Sequence, residues 1–265
     1  MKTPLSIDFK IGTILAMLVA VMGIVSLFYT PYDYNEMEPS NRFISPRVSH
    51  LMGTDNFGRD VFSRIMIGGR YTLAVSLLTV LGSAGIGASL GLVSGYIGGI
   101  WDEIVMRLMD GLSSFPGILS ALVMIALLEN SPFTLIIALL ILFIPSYVRI
   151  LRSGMLQYKN ADFVKTATIM GASHVRIIFV HILPNLTGSL LSSTVLGLSN
   201  AILAEATMSY LGLGIQPPIP SWGRMLSESQ NFLFNAPWCA LAPGIMIMLT
   251  VIAFHYIGEG IRQIS

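Results

Sequence analysis

Six long apolar runs constrain the fold of this chain more than any other feature of its sequence. Two of them, Ile11 to Tyr32 and Tyr71 to Trp101, contain no Asp, Glu, Lys or Arg. A helix needs about 20 apolar residues to cross the hydrocarbon core of a bilayer. The other runs are Gly111 to Leu128, Asn130 to Val148, Ile177 to Leu213 with Glu205 as an interruption, and Pro237 to Gly258. The sequence therefore predicts an all-α membrane protein with six transmembrane helices.

The overall composition supports the same conclusion. Hydrophobic residues make up 54% of the 265 residues and charged residues 11%, with a formal net charge of +1. Soluble domains carry about 25% charged residues, and disordered chains are poor in apolar residues, so both classes are excluded. A nucleic-acid-binding protein needs a basic surplus that this chain lacks. Because Cys239 is its single cysteine, the chain forms no internal disulfide.

The distribution of lysine and arginine predicts which side of the membrane each loop faces, because basic residues favour the cytoplasmic side. Lys2 and Lys10 precede the first helix, segment 152–176 is rich in basic residues, and Arg262 follows the last helix. In a six-span chain these three segments fall on one side of the membrane. We therefore expect that side to be the cytoplasm.

This topology divides the chain into three parts. Residues 1–32 form an N-terminal tail and the first transmembrane helix, and residues 33–70 form an extracytoplasmic segment. Residues 71–262 form a core of five transmembrane helices that includes the cytoplasmic loop 152–176. Segment 33–70 mixes five arginines with five acidic residues, which predicts a folded, ion-paired element. A second extracytoplasmic loop is expected at 214–236.

Glycines recur every four residues at the end of the second run, at Gly87, Gly91, Gly95 and Gly99. This spacing places them on one helix face, where small residues allow close helix packing in lipid. A phosphate-binding glycine loop is a poor alternative, because Leu90 stands where a third glycine is required.

The segment from Gln157 to Asn185 is the longest polar interruption in the second half of the chain. Its part from Asp162 to Met170 contains no Pro or Gly and predicts a short helix that ends at Gly171. A second short helix is expected from Ser173 to Ile182, before Pro184. A helix that protrudes from a membrane in this way is suited to dock in a groove of another protein.

This loop also carries a family signature. Lys165-Thr166-Ala167, three residues, Gly171, nine residues, and then His181-Ile182-Leu183-Pro184 resembles the cytoplasmic loop of permease subunits in binding-protein-dependent ABC importers. That family has E-A-A, three residues, glycine, nine residues and I-x-L-P. The chain departs from this pattern at Lys165, Thr166 and His181, and the histidine is similar to the H-x-L-P variant of the peptide and nickel branch.

Further segments extend the resemblance over about residues 10 to 262. Gly53 to Asp60 is similar to the G-T-D-x-x-G-R-D sequence that precedes the second helix in the same branch. Other family-like segments are Asp110 with Phe115-Pro116, Ser209 to Gly214, Gln216-Pro217-Pro218 and Ser221-Trp222-Gly223. The chain thus resembles the second, C-type permease of a peptide or nickel importer, in the family of binding-protein-dependent transport system inner membrane components.

The resemblance implies a six-helix type I ABC importer permease with a coupling helix between helices 4 and 5, in the cytoplasmic membrane of a prokaryote. Its partners would be a second homologous permease, two ABC ATPase subunits and an extracytoplasmic substrate-binding protein. ATP and Mg would be bound by the ATPases, since this chain has no G-x-x-x-x-G-K-[ST] sequence. The cargo would be peptides, nickel or nickel chelates. The implied ATPase-coupling residues are Asp162, Phe163, Val164, Lys165, Thr166, Ala167, Gly171 and Ala172.

Glu205 is the clearest charge within an apolar run, and such charges mark function or a paired structural site. Ser193, Asn200 and Thr207 recur every seven residues and share one helix face. The fifth helix is therefore interpreted as lining the translocation pathway, with these residues and Glu205. The alternative is that Glu205 pairs with an arginine and only holds the bundle together.

Two other classes of protein remain as alternatives. A membrane-embedded enzyme is disfavoured because the chain has no H-E-x-x-H or G-x-S-x-G sequence and no catalytic site is predicted. A self-sufficient secondary transporter is often longer and carries inverted repeats. The four histidines are too dispersed to predict a metal site; they are His50, His174, His181 and His255.

Overall fold

The computed structural model describes residues 7–128 and 131–264, and within these ranges the regular structure is helical, without a β-strand. Lys2 and Asn130, which entered the predictions of orientation and of the fourth run, lie outside the described residues. The α-helices are α1 (Ile7–Val25), α2 (Val61–Ile97), α3 (Gly99–Ser113), α4 (Gly117–Leu127), α5 (Pro132–Tyr158), α6 (Asp162–Ile169), α7 (His174–Arg176), α8 (Leu183–Tyr210), α9 (Trp222–Ser229) and α10 (Trp238–Ile264). Short 3₁₀ turns lie at Pro39–Asn41 and Gln230–Phe232.

Five helices are long and apolar enough to cross a membrane by themselves: α1, α2, α5, the continuous helix His174–Tyr210 and α10. The sixth candidate span is a pair, α3 and α4, which are bent by 85° at their junction. The predicted number of six spans is reached when this pair counts as one. A straight third helix from Gly111 to Leu128 is wrong, because Pro116 disfavours helical backbone at Phe115 and acts as the N-cap of α4.

The second helix begins at Val61, ten residues before the predicted Tyr71, and it includes Arg64 and Arg70. The earlier start follows from capping, because Asp60 accepts a hydrogen bond from the backbone N–H of Ser63 at 2.7 Å. At the other end, Gly98 and Gly99 have φ values of 71° and 60°, which only glycine adopts readily. These two residues end α2 and start α3, so the predicted continuation of α2 to Trp101 is also wrong.

Helices α2 and α5 pack through the predicted glycine face. A Cβ at Gly87 would lie 2.5 Å from Cβ of Tyr147, and one at Gly91 would lie 2.5 Å from the carbonyl oxygen of Val148. Gly95 meets Met155 in the same way, whereas Gly99 lies beyond the helix with no atom near its missing Cβ. The interpretation of this stripe as a packing face is confirmed for the first three glycines.

The predicted cytoplasmic segment from Gln157 to Asn185 has the expected first helix, but its structure after Gly171 differs from the prediction. Helix α6 has the predicted start, and Gly171 follows its end with a φ of 80°. The chain then enters α7, a π-helical stretch at Ile177–Ile182, and α8 without a break. Pro184 does not end a helix as predicted. It lies inside the continuous helix His174–Tyr210, directly after the π-helical stretch. Local π-helical adjustment is one way in which a membrane helix accommodates the missing N–H of a proline.

Candidate functional site

Helix α6 has one buried face and one exposed face. Val164 and Ala167 are 4% and 7% exposed. Val164 packs on an apolar cluster drawn from four helical segments, and Ala172, just after α6, packs against the same cluster, so α6 is joined to the transmembrane bundle through hydrophobic contact. The cluster contains Leu92 of α2, Leu151 and Met155 of α5, Ile177, Ile178 and Ile182 of the π-helical stretch, and Leu186 of α8.

The outward face of α6 carries an ion pair at its start and apolar side chains near both of its ends, the last of them on the C-cap residue Met170. Phe163 is 42% exposed, and Ile169 and Met170 are 87% and 82% exposed. Lys165 pairs with Asp162 at 3.1 Å, with both side chains largely in solvent. Exposed apolar side chains on a loop outside the membrane are typical of a surface that docks on another protein.

An open groove runs between α6 and the start of the following helix. The structure brings five predicted coupling residues to it: Phe163, Thr166, Ala167, Gly171 and Ala172. Asp162 and Lys165 lie outside its walls. Val164 points away from this surface into the apolar cluster, so in this conformation its side chain is not accessible for the predicted contact with a partner. Met170, Arg176 and His181 complete the walls, and the sequence did not indicate them as coupling residues.

Polar contacts also fix the base of this element to α2 and α3. The Tyr96 hydroxyl lies 2.7 Å from Nδ1 of His174, and Nζ of Lys159 donates to the carbonyl oxygen of Gly95 at 3.1 Å. Nearby, Arg152 binds both carboxylate oxygens of Asp102 at 2.6 Å. Bidentate arginine–carboxylate pairs hold a fixed geometry. These contacts tie the segment around α6 to the inner end of α2, and Arg152 ties α5 to α3 beside it.

The predicted pathway residues separate into two groups on α8. Asn200 is exposed and Ser193 and Thr207 are partly exposed on the same face. Glu205 is fully buried on another face, where its Oε1 accepts a hydrogen bond of 2.6 Å from the Ser209 hydroxyl. The structure records no ion pair between Glu205 and an arginine among the described residues.

A buried ion-pair cluster lies on the extracytoplasmic side, between segment 33–70 and helix α9. Arg59 donates to Asp55 at 2.6 Å, and both Arg59 and Arg64 donate to Glu228, at 3.3 Å and 3.1 Å. Arg224 of α9 donates to the same carboxylate at 3.2 Å. The prediction that segment 33–70 is ion-paired is confirmed. No sequence pattern indicated that Glu228, more than 160 residues away, supplies the shared acceptor.

The histidines lie in separate places. Nδ1 of His50 is 3.0 Å from Asp60, and its ring stacks on Tyr32 at 4.7 Å. His174 contacts Tyr96, and His181 lines the groove beside α6. Across the described ranges, no group of three or more His, Cys, Asp or Glu side chains is placed to hold a metal ion.

The chain is similar to one family of membrane transport components and to several transport permeases. The family model described as "Binding-protein-dependent transport system inner membrane component" matches residues 87–263. The chain is 40% identical over 253 residues to the dipeptide transport system permease protein DppC of Alkalihalophilus pseudofirmus, covering 96% of this chain and 83% of that protein. It is 38% identical to DppC of Haemophilus influenzae, with coverages of 96% and 88%. It is 37% identical to the glutathione transport system permease protein GsiD of Pectobacterium atrosepticum, with coverages of 95% and 84%.

Proposed function

We propose a cargo and a coupling mechanism for this chain from the premise that it belongs to the family of binding-protein-dependent transport system inner membrane components. It is a permease subunit of an ABC importer and a multi-pass protein of the cytoplasmic membrane. Members of this family work with ATPase subunits and with a substrate-binding protein. The chain therefore acts in transport, and the energy for that transport comes from its partners.

The cargo that we propose is a short peptide. The observation that carries this proposal is the function of three relatives, which are permeases for dipeptides or glutathione and are similar to almost the whole chain. Nickel and nickel chelates, which the sequence left open, have no such support among them. A dipeptide and glutathione share a peptide bond and a free carboxylate, so we expect selectivity for those groups.

Uptake by whole cells tests this cargo. A strain that lacks this permease is expected to lose uptake of labelled dipeptides and of glutathione, and to recover it when the gene is returned on a plasmid. Nickel uptake serves as the control and is expected to remain unchanged. Loss of nickel uptake with normal peptide uptake would contradict the proposal. Ligand identification on the purified partner binding protein gives an independent answer.

The coupling mechanism that we propose places α6 in a groove of an ATPase subunit. Its outward side chains Phe163, Ile169 and Met170 would make the apolar contact, with Asp162 and Lys165 at the rim. The ATPases would hold ATP and Mg and close on ATP. Since Val164 packs on the bundle, a push on α6 would reach α2, α5 and α8 directly and favour rocking between inward-open and outward-open states.

The translocation pathway would form between this chain and a second, homologous permease, because six helices make half of such a pathway. The exposed face of α8 with Ser193, Asn200 and Thr207 is our candidate for the lining. Two ATPase subunits, one for each permease, would complete the transporter. We assign Glu205 to the packing of α8 instead, because it is fully buried in the single subunit and its carboxylate accepts a hydrogen bond from Ser209 of the same helix.

A further inference from the structure

Helices α3 and α5 are joined by an arginine–aspartate pair at Arg152 and by another at Arg149, and the two pairs differ in exposure. Arg152 binds both carboxylate oxygens of Asp102, and these side chains are 28% and 15% exposed. Arg149 donates to one oxygen of Asp110 at 2.9 Å, and these side chains are 43% and 66% exposed. The first pair has the bidentate geometry of a structural contact. The second pair is open to a group from outside the chain.

The exposed pair lies at membrane depth. Arg149 is nine residues before Tyr158, the last residue of α5, which is about 14 Å along the helix axis. The whole helix is about 40 Å long, roughly 10 Å more than the hydrocarbon core. Arg149 is therefore inside the core even if all of this excess projects into the cytoplasm. Its Nη2 also donates to the hydroxyl of Ser113, the last residue of α3, at 3.1 Å. The pair thus sits at the 85° break between α3 and α4.

Lipid is an unsuitable neighbour for this corner of the molecule. Ser114, Phe115 and Pro116 separate α3 from α4, and all three are exposed in the single subunit. Non-helical backbone occurs at membrane depth only where protein buries it or where it lines a water-filled cavity. Charged side chains within a span likewise face the interior of a bundle or such a cavity. The broken backbone and the exposed charges are independent features, and both exclude lipid at the same place.

The neighbouring face of α5 is polar as well. Its exposed residues recur every three or four positions and form one stripe that leads to the cytoplasmic end of the helix: Ser146, Arg149, Ser153 and Gln157. Helix α2 differs at the depth of Ser146. There Gly87 packs on Tyr147, and the adjacent Ile86 is 44% exposed. An exposed isoleucine suits lipid, whereas a polar stripe that continues to the cytoplasm suits a water-filled passage.

We propose that this corner lines the cytoplasmic half of the translocation path, where Arg149 binds the free carboxylate of a peptide in transit and Asp110 binds its ammonium group. The inference rests on the proposed function, which supplies a cargo with both groups. A peptide with free ends carries the same two charges as the ion pair, so it replaces that pair without leaving either side chain uncompensated. Without cargo, Arg149 and Asp110 neutralise each other. The path then has a second wall besides the exposed face of α8.

Cysteine labelling from the cytoplasmic side tests the position of the corner. The complete importer in inside-out membrane vesicles, with Ser146→Cys or Ser153→Cys, is treated with a charged, membrane-impermeant methanethiosulfonate. Labelling of this chain is read by mass spectrometry, and the chain with only its buried Cys239 gives the background. The control at matched depth is Ile86→Cys. We expect both serine positions to react about tenfold faster or more than this control, because the reactive thiolate forms in water and not in lipid. Equal rates overturn the inference.

The same vesicles test the contact with cargo. A dipeptide on the cytoplasmic side is expected to slow the labelling of Ser153→Cys by the factor 1 + [L]/Kd, about threefold at twice its Kd. The C-terminal amide of the same dipeptide lacks the carboxylate and is expected to leave the rate unchanged. Adding Arg149→Gln removes the protection, and Arg149→Lys, which keeps the charge, retains part of it. No protection by the dipeptide, equal protection by the amide, or protection that survives Arg149→Gln overturns the role of Arg149.

Further readouts separate this inference from a structural role and from the choice of cargo. Arg149→Gln is expected to leave the melting temperature of the importer unchanged, because an exposed ion pair contributes little to stability. Arg152→Gln is expected to lower it. Equal losses in the two variants would make Arg149 structural and overturn the inference. Labelling itself needs neither transport nor cargo. If the cargo is not a peptide, uptake of labelled dipeptides fails while Ser146→Cys still reacts faster than Ile86→Cys, so the two failures are distinguishable.

Discussion

The coupling element on the cytoplasmic side and the ion-pair cluster on the extracytoplasmic side both concentrate charge, but they use it differently. At α6 the ion pair of Lys165 and Asp162 lies in solvent, and the helix is held by the buried faces of Val164 and Ala167. In the outer cluster, Arg59 and Arg64 are buried, and their ion pairs join segments that are distant in the sequence. Apolar packing thus holds α6 and leaves its exposed face free for a partner. In the outer cluster, ion pairs hold the segments together.

The largest expected effect comes from placing a charge on the outward face of α6. Ile169→Asp is expected to lower peptide uptake about tenfold or more, because a carboxylate would be buried without a partner in the proposed ATPase groove. Val175→Asp is a matched control, since Val175 is 66% exposed in the same loop but outside α6. Uptake and ATP hydrolysis stimulated by the binding protein are measured together. Equal losses in both variants would contradict docking through α6.

The next effect is the loss of the shared acceptor in the outer cluster. Glu228→Gln leaves Arg59 and Arg64 with one carboxylate between them. We expect the free energy of unfolding to fall by about 2 kcal/mol, below the usual range for a buried pair because water partly reaches this side chain. Thermal unfolding of the purified permease complex measures the change. A melting temperature equal to that of the wild type would show that charge is not what holds this region.

A smaller effect is expected at Glu205, which is buried but hydrogen-bonded rather than ion-paired. In Glu205→Gln the amide oxygen still accepts from Ser209, so uptake is expected to stay within about threefold of the wild type. Asn200→Leu, on the exposed face of the same helix, is expected to lower uptake more. Initial rates of peptide uptake at equal protein levels decide between them. A Glu205→Gln protein that is abundant but inactive would return Glu205 to the pathway.

The smallest effect is expected for an ion pair in full contact with solvent. Arg107 pairs with Glu103 at 2.6 Å in α3, but the two side chains are 78% and 55% exposed. Arg107→Ala is expected to change the free energy of unfolding by less than about 0.5 kcal/mol. Thermal unfolding under the conditions used for Glu228→Gln checks this. A comparable shift in both variants would remove the contrast between buried and exposed charge.

The sequence predicted those features that depend on neighbouring residues. Asp162 to Met170 has helical composition with Gly171 after it, and the structure has a helix from Asp162 to Ile169 with a left-handed Gly171. The glycine spacing likewise predicted the packing of α2. The 85° bend between α3 and α4 was missed because apolar content, not the local effect of Pro116, decided the length of the third run.

Contacts between residues that are distant in the chain could not be predicted from the sequence. Nothing near Glu228 indicated that it would accept hydrogen bonds from Arg59 and Arg64, because that contact depends on how two external loops meet. The same holds for the orientation of Val164, whose burial is decided by Leu151, Met155 and the π-helical stretch. Local periodicity fixes which residues share a face of α6, but it does not say which face meets the bundle.

Helix α2 has a mechanical consequence. Its 37 residues give a rod of about 56 Å at 1.5 Å per residue, nearly twice the roughly 30 Å of the hydrocarbon core. Arg64 anchors its outer end in the ion-pair cluster, and Tyr96 anchors its inner end beside His174. Because α2 is held by side-chain contacts at both ends, a movement at one end is expected to be transmitted to the other. We therefore expect a displacement near His174 to be transmitted along α2 to the ion-pair cluster around Arg64, and a displacement of that cluster to reach His174.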